Sequence, residues 1–212
     1  MVYNLFASES FVGFSTIVIL LLTAPLAFLM LKKYAHKKNL SYVLWGTGLV
    51  LFAIGVLLEV LFAFNVYNQI LIKLYLEVVA LLVGFLAFGS IYMLKSKKIN
   101  LAYGVFFTAA AIFVAYTLAV SKISNLITNH VVFGVLPLLV VTSSSILTFP
   151  AAVIIAVVAA LSYKKSGSLK MISIIAGVII VSIAGTLYIL QFPPLLYYSE
   201  FIGILLLWFG FI

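Results

Sequence analysis

The residues able to carry proton, ion or nucleophile chemistry are few and unevenly placed. The only acids in 212 residues are four glutamates, Glu9, Glu59, Glu77 and Glu200, and the only histidines are His36 and His130. Lys73 and Glu77 stand four apart and so share a face of any helix that contains them. Glu59 precedes the polar turn Asn65-Val66-Tyr67-Asn68-Gln69. Reflected through a hairpin turning near Tyr67, it falls level with Tyr75, between Lys73 and Glu77. At ~1.5 Å per residue, Glu77 would lie roughly 10 Å below the outer end of its helix. An ionised group at the centre of a bilayer costs about 2.5 to 3.5 kcal/mol, and less near the interface, and pairing or water normally offsets that cost. The expectation is a Glu59–Lys73–Glu77 cluster facing the interior of a helix bundle. Thr142, Ser143, Ser144, Ser145, Gln191 and Glu200 should lie at comparable depth and line the same polar pocket. Such a pocket would take a cation, a small solute or a proton. The same cluster also serves as an ion-pair network that fixes helix register and binds nothing, and these residues leave both readings open.

Several chemistries are argued against by composition. There is no cysteine, no arginine and no aspartate. Thiolate metal sites, iron–sulfur clusters and cysteine nucleophiles are therefore excluded, and so are lipid-phosphate transferases that hold magnesium through aspartate. Haem ligation within a bundle wants histidines on facing helices, whereas His36 sits in a lysine-rich loop and His130 at a boundary. No His-Glu-x-x-His motif is present. The Ser143–Ser145 run has no base near it unless His130 folds back. A retinal Schiff base would call for a lysine in the last span, which contains none. We expect no catalytic residue, no cofactor and no metal site.

The elements that must position these residues are membrane spans. Apolar residues make up 67% of the chain and charged ones 8%, against roughly a quarter charged in soluble domains. Mean hydropathy is +1.38. Such a chain cannot cover a globule with polar surface, so the reading is one all-α membrane domain over 1–212. A span of a ~30 Å hydrocarbon core needs about 20 apolar residues, and seven stretches meet this: 11–31, 41–64, 70–94, 101–120, 140–163, 171–191 and 195–212. Pro137 and Pro150 interrupt the long apolar run 131–163, which divides into an interfacial or tilted piece near 131–139 and the fifth span. Pro193-Pro194 mark a stop and a helix start. Met1–Ser10 shows neither a basic n-region nor a small-residue cleavage site, so the first span is expected to stay in place.

Ten of the twelve lysines fall in the loops between spans 1 and 2, 3 and 4, and 5 and 6. The positive-inside rule puts those loops in the cytoplasm, with the N-terminus outside and the C-terminus inside a multi-pass cell-membrane protein. The net charge of +8 then belongs to anionic headgroups rather than to nucleic acid. The expected partners are the lipid bilayer and other membrane subunits. Leu74-Tyr75-Leu76-Glu77 and Tyr197-Tyr198-Ser199-Glu200 each give Tyr-x-Glu at the start of a helix, which would relate spans 1–3 to spans 5–7 as a 3+1+3 parallel repeat. Small-residue stripes, Ala152/Ala156/Ala160 and Ser173/Gly177/Gly185, mark close helix packing. The inner half offers only weakly polar groups such as Thr47, Ser90 and Ser182, which argues against a pump with a relay through the membrane.

The run Thr148-Phe149-Pro150-Ala151-Ala152, then Ala160-Leu161-Ser162-Tyr163, Ile175-Ala176-Gly177, Ala184-Gly185-Thr186 and Tyr198-x-Glu200-x-x-Gly203, resembles a group of prokaryotic seven-helix membrane proteins to which no activity is assigned. Trp45, Glu59, Lys73-Leu74-Tyr75 and Gly89-Ser90-Ile91-Tyr92 agree with it too. The resemblance implies a seven-helix fold and weight on the Glu59 and Glu200 positions, and no chemistry. The expected role is a non-enzymatic accessory or scaffolding subunit of a membrane complex. The alternative is a small-solute or ion carrier or channel with an outward-facing polar pocket.

Overall fold

The computed structural model describes residues 9–123, 126–128, 131–132, 134–189 and 193–212. Among them are seven helices: α1 Glu9–Lys37, α2 Leu40–Ala63, α3 Gln69–Tyr92, α4 Lys97–Val120, α5 Leu138–Ser166, α6 Leu169–Ile189 and α7 Pro193–Phe211. Five of them, α1 to α5, are long and apolar enough to cross a bilayer, and the described apolar stretch of α7, Tyr197–Phe211, is shorter. These five make the chain a multi-pass membrane protein. α1 continues six residues past the span expected from hydropathy, through Lys32 and Lys33 to Lys37, because lysine is a good helix former and helical hydrogen bonding does not stop where the lipid does. α4 likewise starts at Lys97 rather than at Leu101.

The turns are cut by local chemistry. The Asn39 side chain accepts from the Ser41 amide at 3.0 Å and the Asn68 side chain from the Leu71 amide at 2.8 Å, which caps α2 and α3. Lys38, Asn65, Lys95 and Gly167 each take a left-handed backbone, the conformation that ends a helix and reverses the chain within a few residues. Between α4 and α5 the link is longer. There Ile127–Thr128 and Val131–Val132 pair antiparallel as β1 and β2, where the sequence reading has an interfacial or tilted piece beginning at Val131.

Each helix packs on the next, and α7 closes back onto α1. The ring runs α1–α2–α3–α5–α6–α7, with α4 outside it against α3 and α5. The α3/α5 and α1/α7 contacts close this ring. The α6–α7 pair approaches closely at Gly177, where an added Cβ would stand 3.2 Å from both the Gly203 carbonyl oxygen and Leu206 Cβ. Ser173, one turn earlier, donates to the Leu206 carbonyl at 2.6 Å. In the alanine stripe, Ala160 is exposed, and the buried line on α5 runs instead through Ala151, Ile155 and Ala159. Gly185 lies in α6, but its surroundings fall outside the described side chains.

Candidate functional site: a carboxyl pair across the bundle

The inward face of α2 carries Trp45, Phe52, Val56, Glu59 and Phe62 in succession, a stripe at helical spacing with one acid in it. On α7 the buried line is Tyr197, Glu200, Ile204 and Leu207. Glu59 and Glu200 are 2% and 7% exposed, and their carboxyls are close enough to interact electrostatically. The Tyr75 hydroxyl, from α3, donates to Glu59 Oε1 at 2.6 Å. Its ring meets Phe62 edge-on with centroids 5.7 Å apart. Tyr197, 2% exposed, lies within electrostatic reach of Tyr75. One oxygen of each acid, Oε2, is buried with no hydrogen-bond partner among the described residues.

An ionised carboxylate only accepts hydrogen bonds. Two facing carboxyls therefore bond to each other only when one carries a proton, and otherwise they require a cation between them. The Glu59–Glu200 pair thus brings together two buried acids, a phenol and two oxygens with no hydrogen-bond partner among the described residues. It joins α2 to α7.

The expected pocket residues are distributed differently from the sequence reading. Glu59 is level with Tyr75, as reflection through the turn requires, and the two are bonded. Lys73 and Glu77 do not join them. Each is two residues from Tyr75, which is ~200° around a helix, so the inward position of Tyr75 turns both away. Lys73 Nζ instead donates to the Ala119 carbonyl at 3.2 Å, at the negative end of the α4 dipole. Glu77 is half-buried, with no salt bridge to Lys73 among the described residues. Ser144 is half-buried on α5; its neighbour Ser143 is the fully buried serine and bonds Thr117 of α4 at 2.7 Å. Thr142 and Ser145 are exposed. Gln191 lies outside the described residues, as does His130. His36 is exposed. No group of three or more His, Cys, Asp or Glu able to hold a metal occurs among the described residues.

Sequence reasoning missed the second cross-bundle contact. Trp45 and Phe211 rings lie 5.0 Å apart, again linking α2 to α7, near the lysine-rich end. The Trp45 indole donates to the Leu86 carbonyl at 3.1 Å. Lys33 Nζ donates to the Phe211 carbonyl at 2.7 Å, which caps the last turn of α7. A cavity of about 170 Å³, lined by Trp45, Ser90, Ser162, Ile174 and Phe211 among others, opens at this level. Between the two cross-links the axis is apolar, through Phe52, Val56, Ile204 and Leu207. The pairing of Trp45 with Phe211 had a signal in hindsight, since each aromatic falls on the same helical face as the acid of its own helix.

Comparison with known proteins finds no matching family model, no matching curated protein and no matching solved structure.

Proposed function

We propose that the chain is a small carrier of the cell membrane whose Glu59–Glu200 pair binds a proton or a monovalent cation between two three-helix halves. The single observation that carries this reading is a pair of buried acids in contact across the bundle, each with an unsatisfied oxygen. Intramembrane ionisable residues are expensive, and where they occur they mark ion or proton paths. When the pair holds its positive particle, the α2 and α7 faces are tied together. When it is empty, two charges repel across the seam between the halves and favour its opening, a population shift driven by occupancy. The aromatic Trp45–Phe211 contact closes the opposite end.

In this reading the seven helices span the membrane with the N-terminus outside, as the lysine distribution favours, and the carboxyl pair sits in the outer half. The ring order supports a 3+1+3 arrangement, because the α3/α5 and α1/α7 seams exchange under the same two-fold operation. A second reading, an accessory or scaffolding subunit, draws on the apolar layer between the carboxyls and Trp45, which offers no polar relay. Both readings are non-enzymatic.

The experiment is flux in sealed proteoliposomes that hold a pH-sensitive dye. Under an imposed cation or proton gradient the native chain should move protons or cations, and Glu59→Gln and Glu200→Gln should each reduce the rate at least about tenfold, because the acid that meets the ion is gone. No flux from the native chain, together with a stoichiometric partner co-purifying from its own membrane, would replace the carrier with the subunit reading.

A further inference from the structure

A second feature has no part in the carboxyl site. Between α4 and α5 an apolar groove of about 460 Å³ runs toward the lysine-rich end. Its α4 wall is Ile99, Ala102 and Phe106, and its α5 wall Pro150, Val153 and Val157. Residues at helical spacing continue each wall into charge. Lys98 stands one turn beyond Ala102, and Lys95 follows Leu94, which also lines the groove. On α5, Lys164 stands two turns beyond Val157, with Lys165 next to it. All four lysines are exposed. No glutamate lies at this end of the bundle: Glu59 and Glu200 meet at the other end, Glu77 is in the first turns of α3, and Glu9 opens α1 at the end opposite Lys37. The groove is therefore apolar along its length, with lysines on both walls beyond its mouth and no glutamate at that end.

We propose that this groove is a binding site for an anionic phospholipid of the bilayer, one acyl chain lying between α4 and α5 and the headgroup phosphate held by Lys95, Lys98, Lys164 and Lys165. Basic pockets between membrane helices recognise acidic headgroups in this way. The length agrees. From Lys164 to Pro150 the α5 wall runs about 21 Å at ~1.5 Å per residue, which covers the ~15 Å half-thickness of a hydrocarbon core. A neutral lipid would fill the groove and leave the lysines unmatched.

The test uses the full chain in detergent, given phosphatidylglycerol or phosphatidylcholine, with retention read by native mass spectrometry and stabilisation by thermal unfolding. Phosphatidylglycerol should be retained at least about tenfold better than phosphatidylcholine, since each lysine at an anionic headgroup contributes about 1 kcal/mol. The K95Q/K98Q/K164Q/K165Q variant should lose that preference while its lipid-free melting temperature stays unchanged. Ala102→Trp, or Val153→Phe where the tryptophan disturbs folding, should fill the groove and reduce bound phosphatidylglycerol with all lysines present. Equal retention of the two lipids by the native chain would overturn the proposal. So would an unchanged preference in the lysine variant. Undiminished binding in a folded groove-filled variant would reduce it to surface adsorption and overturn the groove as the site.

Discussion

Tyr75 and Glu59, sixteen residues apart, are joined across the α2–α3 hairpin by a 2.6 Å hydrogen bond from phenol to carboxyl. This bond fixes the register of the hairpin and orients Glu59 toward α7. Deleting the donor should leave a buried carboxyl oxygen unsatisfied, at a cost of about 1 to 3 kcal/mol. Tyr75→Phe should therefore lower the thermal unfolding midpoint clearly, whereas Lys73→Gln, which loses only an exposed contact to the Ala119 carbonyl, should change it little. Equal midpoints for the two variants would contradict this assignment.

The Glu59–Glu200 contact makes a spectroscopic prediction. A carboxyl that donates to another carboxyl absorbs in the infrared as a protonated C=O, and a buried one exchanges slowly with deuterium. The native chain should show such a band, and Glu59→Gln/Glu200→Gln should abolish it. Tyr75→Phe should move it to higher frequency, because one hydrogen bond to the group is gone. Single Gln variants keep an amide donor opposite the remaining acid, so their stability should stay within about 1 kcal/mol of native. A Glu59→Leu variant that unfolds no more readily than Glu59→Gln would argue that the acid is not paired in the bundle.

At Gly177 the constraint is steric. Alanine would place its Cβ 3.2 Å from the Gly203 carbonyl oxygen, a contact relieved by a small shift of α6, and should cost about 1 kcal/mol. Leucine has no such escape and should cost about 3 kcal/mol or prevent α6 from docking on α7. The readout is the yield of monodisperse protein and its unfolding midpoint. Native-like behaviour of Gly177→Leu would mean that α6 and α7 do not approach here.

Orientation can be read cleanly because the chain has no cysteine of its own. Single cysteines at Tyr67 and at Lys97 should react from opposite sides of the membrane with an impermeant maleimide, Tyr67→Cys from outside and Lys97→Cys only after permeabilisation. The reverse pattern would invert the map.

The helices were legible from sequence because length, apolar content and lysine-rich ends are properties of single segments. α2 and α3 lie within two residues of the expected bounds for that reason. Depth was legible as well: reflecting Glu59 through the Tyr67 turn finds Tyr75 because rise per residue is nearly constant in any helix. Azimuth was not. Lys73 and Glu77 are as deep as Tyr75, but nothing in an almost uniformly apolar helix says which side faces its neighbours, and α3, which packs on α2, α4 and α5, is apolar nearly all round. Of the serines expected at this level, Ser143 is the one turned fully inward, while Ser144 is half-buried.

The sequence by itself determined that this chain forms several long apolar helices, that its charge gathers at one set of turns, and that its few acids lie away from those lysines. These follow from the cost of placing polar groups in hydrocarbon, which acts residue by residue. Only the tertiary structure decided that Glu59 meets Glu200, that Tyr75 serves one of them, and that Trp45 meets Phe211. The Glu59–Glu200 and Trp45–Phe211 contacts join helices that are not consecutive in the chain, and all three depend on the rotation of every helix within the ring, which depends on how small residues such as Gly177 let neighbouring backbones approach.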